Sequence, residues 1–246
     1  YSAGAVMGDD IYVYGGETDI GWSNTANGKF AKINLTTGNW TSLLSGPVRS
    51  GSCLNGYGGR IYAHAGRINV FNSINTMMMY DGLTWTELTN SGAVPYTSHM
   101  HTTCVVGDYL YTYGGTTNNA LTPPTTQLLR TNLANTLTGN NTIVWELLPA
   151  CPVGSVRSVM LPYNNKIYVF GGLVSNTGVR STTNIHVYDI TTPGWSIIPD
   201  CQFVSGNSNG GYIFNDKAYF YSEDVLGGTS KSVIDTYDFA TDTWTK

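Results

Sequence analysis

Charged residues are scarce in this sequence. Its 246 residues include 12 Lys and Arg and 16 Asp and Glu, so 11% of the chain is charged and the net charge is -4. An ordinary soluble domain carries about 25% charged residues. The sequence has no cluster of Lys and Arg that would neutralise phosphates, which argues against nucleic acid as a partner. Asn, Thr, Ser, Gly and Tyr must therefore supply the polar surface.

Long hydrophobic runs are also missing. The chain is 41% hydrophobic, which is enough for a sizeable core. No stretch approaches the roughly 18 to 20 apolar residues that cross a bilayer, so no membrane span is predicted. Because the chain begins at Tyr1 rather than Met, we expect it to be a processed or excised piece.

The four cysteines lie at matched places in the sequence. Cys53 and Cys104 each precede a hairpin-like stretch, while Cys151 and Cys201 lie in "LPACP" and "IPDCQ". One interpretation is two disulfides, Cys151–Cys201 and Cys53–Cys104, formed in an oxidising compartment. The other is that Cys53 and Cys104 are small buried apolar residues.

Three Asn-X-Thr triplets begin at Asn34, Asn39 and Asn140. This triplet is the acceptor for N-glycosylation in secreted proteins, although it also arises by chance in a chain rich in Asn and Thr. Together with the cysteines, the triplets predict an extracellular or cell-surface protein.

One short pattern returns along the whole chain. "IYVYGG" ends at Gly16, "RIYAHAG" at Gly66, "YLYTYGG" at Gly115, "KIYVFGG" at Gly172 and "KAYFYSE" at Glu223. The central apolar residues of these stretches are 50, 49, 57 and 51 residues apart. Recurrence at a nearly fixed period indicates a repeat architecture.

Tryptophans recur along the chain at nearly the same spacing as these stretches, and most of the tryptophans follow a run that ends in Tyr-Asp. The repeated tryptophans are Trp40, Trp85, Trp145, Trp195 and Trp244. Tyr, Val, Ile and Thr between turns of Gly, Asn and Asp predict four short strands in each unit, with no helical stripe. A four-stranded sheet of this length cannot bury both faces alone. The units are therefore expected to pack face to face around an axis.

Paired glycines after an apolar strand, followed by Tyr and then Trp, closely resemble the kelch repeat. The resemblance covers the whole chain in five copies and implies an all-β fold, a β-propeller of four-stranded blades. The blades cover approximately residues 1–46, 47–92, 93–151, 152–201 and 202–246.

Three units depart from the pattern. Unit two has Ala65–Gly66 in place of the glycine pair, unit three carries an insertion before Trp145, and unit five has Ser222–Glu223 in that place.

The number of blades is open at this point. The resemblance to kelch propellers implies a ring of six or seven blades, whereas this sequence has five units. Either unit five packs against unit one, or the chain is part of a larger ring. We favour the five-bladed ring, because both ends of the sequence fall at a repeat boundary.

The resemblance also implies a binding surface. In a kelch-like blade, the loops after the glycine pair and the segments that lead into the next blade gather at one end, which we call the loop face. Long loops on a rigid scaffold commonly carry function. The loop face comprises 17–29, 67–75, 116–128, 173–183 and 223–231, with the approaches 42–50, 87–99, 147–157 and 197–209.

Three arginines and a tyrosine of the loop face are candidate ligand-binding residues. Arg49 in "GPVRSG" and Arg157 in "GSVRSV" are interpreted as equivalent positions at the mouth of the central channel, where they could bind an acidic group. The alternative is that these arginines hydrogen-bond the carbonyls of a neighbouring blade. Arg67 and Tyr96 complete this group.

His99 and His101 in "SHMH" and Trp22 in "TDIGWSNTANG" are the other candidates. Residues i and i+2 of a strand face the same side, so the two imidazoles could converge on a metal. No third ligand is evident, and histidines satisfied by the backbone are favoured; we predict no metal site and no cofactor. Trp22 lies off the repeat spacing and either stacks on a sugar or a partner, or folds over its own loop.

Three classes of function remain: a binding module, an enzyme and a structural subunit. A copper oxidase would need ligands that encircle the metal, but Tyr96, His99, His101 and Cys104 lie in one strand region. A sugar mutarotase would need acidic and basic groups facing each other at the channel mouth, and no acidic partner is evident. With no triad, phosphate loop or paired carboxylates, we predict a secreted module that binds a protein or glycan or takes part in assembly. The alternatives are a kelch-type enzyme and a subunit of an extracellular filament or coat.

Overall fold

The computed structural model describes residues 2–17, 25–69, 72–117, 123–174, 184–199, 201, 210–226 and 229–245, with the backbone alone for 222–226 and 229–233. In this part of the chain the structure is almost entirely β. The strands of the first half are β1 (Ala3–Met7), β2 (Asp10–Tyr14), β3 (Phe30–Asn34), β4 (Trp40–Ser42), β5 (Cys53–Tyr57), β6 (Arg60–Asn69), β7 (Asn72–Tyr80), β8 (Trp85–Gly92), β9 (Thr102–Val106) and β10 (Tyr109–Tyr113). Those of the second half are β11 (Leu128–Asn132), β12 (Thr142–Leu148), β13 (Val159–Tyr163), β14 (Lys166–Phe170), β15 (Ile185–Asp189), β16 (Gly194–Ile198), β17 (Gly210–Phe214), β18 (Lys217–Leu226), β19 (Thr229–Asp238) and β20 (Thr243–Thr245).

The strands form five antiparallel blades of four, each built from consecutive strands. We number the blades 1 to 5 along the chain. Blades 2 and 3 are joined at their outer edges, where β12 runs parallel to β8 from Thr142↔Thr89 to Trp145↔Gly92. The insertion of unit three forms one helical turn, α1 (Ala134–Leu137), before β12. The prediction of an all-β fold with four-stranded blades is confirmed.

The recurring Tyr-Asp pair has a local structural reason. The carboxylates of Asp81 and Asp189 each accept hydrogen bonds from backbone N–H groups two and three residues later, which shapes the turn after the third strand. Asn34 does the same in blade 1, where its Oδ1 accepts the N–H of Thr37. The turn therefore requires a side chain that accepts hydrogen bonds from the backbone N–H groups that follow it. Asp and Asn both meet this requirement.

The glycine pair permits close contact between blades. A Cβ on Gly15 would lie 2.5 Å from the carbonyl oxygen of Arg49, and one on Gly114 would lie 2.2 Å from that of Ser155. Both glycines also have left-handed φ angles, +66° and +72°. Units two and five depart from this solution, because their second and third strands continue as long hairpins, β6–β7 and β18–β19.

The apolar core is divided into four clusters, each between two successive blades. They join blades 1 and 2, 2 and 3, 3 and 4, and 4 and 5. Trp85, Trp145, Trp195 and Trp244 each contribute to one cluster. Among the described residues, no corresponding cluster joins blade 5 to blade 1.

The cysteine pairing that the sequence indicated is not observed. All four side chains are thiols. Cys151 packs between blades 3 and 4 and Cys201 between blades 4 and 5, so the matched positions serve different interfaces. Burial raises the pKa of the Cys53 thiol to about 12, which keeps it protonated at neutral pH. The interpretation as a small buried residue of an inner strand fits Cys104, whereas Cys53 is half-buried.

The described helical structure contains no helix that is long and apolar enough to cross a membrane.

Candidate functional site

The loops after the second strands meet the segments that enter the next blade at one end of the structure. Short β-bridges join them: Asn27↔Arg49, Ser50↔Arg67, His99↔Thr116 and Val156↔Leu173. Each bridge links a loop base to the approach of an inner strand. The loop bases are therefore held in a fixed frame by backbone hydrogen bonds.

Glu17 and Arg67 form a buried ion pair at this end. Arg67 Nη2 lies 2.5 Å from Glu17 Oε1, and the two side chains are 8% and 11% exposed. The Ser50 hydroxyl donates to the same oxygen at 2.6 Å. Burial acts to raise the pKa of Glu17, but the hydrogen bonds from Ser50 and Arg67 outweigh it, so the pKa is lowered. The carboxylate is therefore ionised at neutral pH.

Sequence reasoning missed Glu17, which is the acidic partner that no motif had indicated. Its signal was slight: Glu17 directly follows the glycine pair of unit one. In the structure it joins the loop of blade 1 to Arg67 of blade 2, about 50 residues further along the chain.

Arg49 is buried and serves the blade interface. Its guanidinium donates to the carbonyl oxygens of Ala65 at 3.0 Å and Thr76 at 2.8 Å, and to the Thr76 hydroxyl at 2.6 Å. The side chain is 1% exposed. Of the two interpretations of Arg49, the observed arrangement is the one in which the arginine hydrogen-bonds the carbonyls of a neighbouring blade rather than an acidic group of a ligand.

Arg49 and Arg157 do not occupy equivalent positions. The carbonyl of Arg49 accepts the N–H of the second glycine of blade 1, and that of Ser155 accepts the N–H of Gly115 in the same way, so Arg49 corresponds to Ser155. Arg157 instead corresponds to Gly51 and Met100, which share its left-handed φ of about 60°. The matched letters "VRS" are thus displaced by two residues in the fold.

Arg157 lies at the central channel. Its N–H donates to the carbonyl of Met100, whose own N–H donates to the carbonyl of Gly51. This chain of hydrogen bonds passes from blade to blade around the channel. A cavity of about 710 Å³ occupies the channel and is lined by residues of all five inner strands, together with Arg157 and His101.

The structure brings His101 together with His64 rather than with His99. His64 Nδ1 and His101 Nε2 lie 3.1 Å apart in the buried interface of blades 2 and 3. His99 Nδ1 instead bonds the Ser73 hydroxyl at 2.8 Å. Met100 between the two histidines has a φ of +59°, so the alternation expected of a strand does not apply there. Burial lowers the pKa of His99 to about 4 and that of His101 to about 3.

No group of three or more His, Cys, Asp or Glu side chains within the described ranges is arranged to hold a metal.

The remaining candidates are spread over the surface. Tyr96 is 59% exposed on the approach to blade 3. Asn39 and Asn140 are exposed, whereas the amide of Asn34 donates to Asp10 at 3.0 Å. Trp22 lies outside the described residues.

Comparison with known proteins supports the fold. The family model described as "Kelch motif" matches residues 156–202. A solved structure, that of YjhT, is similar with a TM-score of 0.70 and 17% sequence identity, and the match covers 89% of this chain and 71% of that one. No curated protein matches the chain. The kelch motif in blade 4, the recurring glycine pairs and the ordered succession of four-stranded blades show that this chain has a β-propeller fold that carries a kelch motif.

Proposed function

We propose that the protein is a binding module that recognises a protein partner through the loop face. The observation that carries the proposal is a set of exposed apolar side chains on the loop face of blades 1 to 3. Val48, Ile68, Val94 and Tyr96 are 45%, 43%, 41% and 59% exposed. Exposed apolar groups with a polar surround, and an aromatic among them, are typical of protein interfaces.

The frame beneath these side chains supports the proposal. The bridge Ser50↔Arg67 and the ion pair of Arg67 with Glu17 fix the segment that carries Ile68. A surface held in place before binding loses less conformational entropy when a partner docks. Glu17, Arg67 and Arg49 are bonded within the frame, and the exposed apolar groups remain for contact.

The test compares substitutions at the two ends of the propeller. We expect Ile68→Asp and Tyr96→Asp each to weaken partner capture from the native source by at least about tenfold, as substitutions at central interface residues do. Leu83→Asp is the matched control, because Leu83 is 79% exposed in the turn between β7 and β8, at the opposite end. An equal loss with Leu83→Asp would contradict the assignment of the loop face.

A glycan is the alternative ligand of the same face. A glycan array with the same three variants distinguishes the two ligands, since specific glycan binding that depends on Tyr96 would replace the protein partner. Assembly with copies or neighbouring chains would instead appear as a loop-face-dependent change in sedimentation.

A second candidate function is enzymatic, of the sugar mutarotase type. It is favoured by the meeting of Glu17 and Arg67, the acidic and basic pair that such an activity would need at the channel mouth. Their mutual hydrogen bond and burial argue for a structural role. Anomer exchange of a sugar acid, followed by NMR, tests the activity; an acceleration lost in Glu17→Gln would replace the binding proposal with the enzymatic one.

An extracellular or cell-surface location is part of the proposal. Its support is the exposure of Asn39 and Asn140, each in a glycosylation triplet. Intact-mass measurement of the natural protein before and after deglycosylation tests it, and unmodified asparagines would remove this support.

A further inference from the structure

Strand pairing places one residue of each strand in a row across every blade, ending at the repeated tryptophan. We call this set of four the Trp row. The five rows are Val6–Ile11–Ile33–Trp40, Gly56–Ile61–Tyr80–Trp85, Val105–Leu110–Thr131–Trp145, Pro162–Ile167–Tyr188–Trp195 and Ile213–Ala218–Tyr237–Trp244.

In blades 2 to 5 the Trp row packs against the preceding blade. Its second members, Ile61, Leu110, Ile167 and Ala218, are each 0% exposed. The indole N–H of Trp85 donates to the carbonyl of Leu44 in blade 1, and that of Trp195 to the carbonyl of Pro149 at the end of blade 3. The row is thus the surface by which a blade contacts the one before it.

In blade 1 the same row faces solvent. Val6 is 63% exposed and Trp40 is 62% exposed. Ile11 and Ile33, between them, are half-buried. Blade 1 therefore presents an interface surface with no blade against it in the described part of the chain.

Blade 5 has the complementary exposed surface on its other face. Tyr212 and Phe214 of β17 are 62% and 59% exposed, and Ile234 of β19 is 60% exposed. At the position of Tyr212, blade 4 has Leu161, which is 7% exposed because it packs against blade 5. Blade 5 thus presents the face that blades 1 to 4 each bury against the blade that follows.

The two exposed faces border one space. Gly4 of β1 and Gly210 and Gly211 of β17 line the same channel cavity, together with the other three inner strands. The space between blades 1 and 5 therefore opens onto the channel. One side of it is a Trp row, and the other side is the face that packs against a Trp row in the four existing interfaces. Because apolar groups gain free energy when they leave water, both faces favour being covered.

We call the space between the open faces of blades 1 and 5 the cleft. We propose that the cleft holds one further four-stranded kelch-type blade, supplied by the same polypeptide outside residues 1–246. That blade presents a Trp row to Tyr212 and Phe214 and an aliphatic or aromatic face to Val6 and Trp40. The five-bladed ring expected from the sequence is then replaced by a ring in which blades 1 and 5 are not neighbours.

Three observations favour this occupant. The four existing interfaces all join blades of one chain, and the two open faces repeat their chemistry position by position. A blade tethered to the chain reaches the cleft at a high effective concentration. The YjhT propeller, which this chain resembles, also extends beyond the part that this chain covers.

The experiment footprints solvent-exposed side chains with hydroxyl radicals and mass spectrometry in two polypeptides. The first is the chain 1–246, and the second carries an additional copy of residues 152–201, the sequence of blade 4, after Lys246. In the first, Trp40 and Tyr212 should be labelled strongly, as Leu83 is, while Trp145 is protected. In the second, labelling of Trp40 and Tyr212 should fall on the order of tenfold, with Leu83 unchanged.

The matched control is the extended chain with Ile167→Asp and Val187→Asp in the added copy only, which places a charge on each of its two packing faces. This variant should leave Trp40 and Tyr212 labelled. The natural polypeptide, purified from its source, is footprinted in parallel and should be a monomer larger than 246 residues with both residues protected.

Three results would overturn the proposal. Protection of Trp40 and Tyr212 in the monomeric 1–246 chain would show that blades 1 and 5 pack directly together. Protection that appears only in a dimer would assign the cleft to a second copy. Persistent labelling in the natural polypeptide would show that no blade covers the cleft.

Discussion

The Trp rows of blades 1 and 3 have the same place in their sheets and opposite surroundings. Trp145 of blade 3 is 2% exposed within the interface with blade 2, whereas Trp40 of blade 1 is 62% exposed. Both rows end at the repeated tryptophan, and in the described part of the chain only the row of blade 3 has a preceding blade packed against it, so the difference comes from the neighbouring blade. A pattern of apolar residues specifies which face of a strand is made for packing, but not whether a partner covers that face.

The largest expected effect contrasts these two tryptophans. Trp145→Ala should lower the free energy of unfolding by about 3 to 5 kcal/mol, because it leaves a cavity between blades 2 and 3. In the chain 1–246, Trp40→Ala should change it by no more than about 0.5 kcal/mol, as is usual at an exposed site. Urea unfolding of both variants measures the difference, and equal losses would mean that blade 1 is covered as blade 3 is.

A second pair makes the same contrast on the other side of the cleft. Leu161→Ala should cost about 2 to 5 kcal/mol, since Leu161 lies in the cluster between blades 4 and 5. Tyr212→Ala, at the equivalent position of blade 5, should cost about 1 kcal/mol or less, mainly through the lost stacking on Tyr219. Thermal and urea unfolding give both values; a large loss at Tyr212 would contradict the exposure of this face.

The closed interface of blades 2 and 3 should also be sensitive to acid. The pKa of buried His101 is about 3 in the folded protein, against about 6.5 when unfolded. The unfolded chain therefore binds a proton first, and stability falls as pH drops below 6.5. At pH 5 this group alone should cost about 2 kcal/mol.

The measurement is the free energy of unfolding of the protein and of His101→Gln between pH 7 and 5. The variant should show the smaller loss over this range, whatever its stability at pH 7. Equal slopes would show that His101 titrates normally and is not enclosed by the blades.

The smallest effect concerns two ion pairs in different surroundings. Glu17→Gln should cost about 1 to 2 kcal/mol, because it leaves the guanidinium of Arg67 buried with a weaker acceptor. Glu146→Gln is the control, since Glu146 pairs with Arg130 at 2.8 Å but is 51% exposed, and it should cost less than about 1 kcal/mol. Denaturant unfolding measures the free energy of unfolding of both variants, and Glu146→Gln should lower it less than Glu17→Gln does.

The pH dependence of the Glu17 pair has a definite sign. The folded pKa of Glu17 is lowered, so the pair stabilises the protein above the unfolded pKa of about 4.3 and loses this contribution as pH falls through the folded value. Glu17→Gln should therefore converge on the parent protein in strong acid, and a gap that persists there would point to a role for Glu17 other than its charge.

Two candidate residues show that a short sequence match between repeats can give the wrong register. Arg49 and Arg157 share the letters "VRS", yet Arg49 corresponds to Ser155 and Arg157 to Gly51. Loop lengths differ between units, so a local match does not fix the register at the start of the inner strand. The hydrogen bonds of the glycine pair do fix it, and they separate the buried arginine from the one at the channel.

The sequence by itself determined the strands, the blades and their order. Apolar alternation, glycine pairs with left-handed φ angles and Tyr-Asp turns are local requirements, and each is met within about 50 residues of the chain. Only the tertiary structure decided the pairing of Glu17 with Arg67, the contact of His64 with His101, and the exposure of one Trp row among five. These features join different blades, and the contact between two blades depends on how their loops set the register and on which faces meet. No periodicity within a single unit records that information.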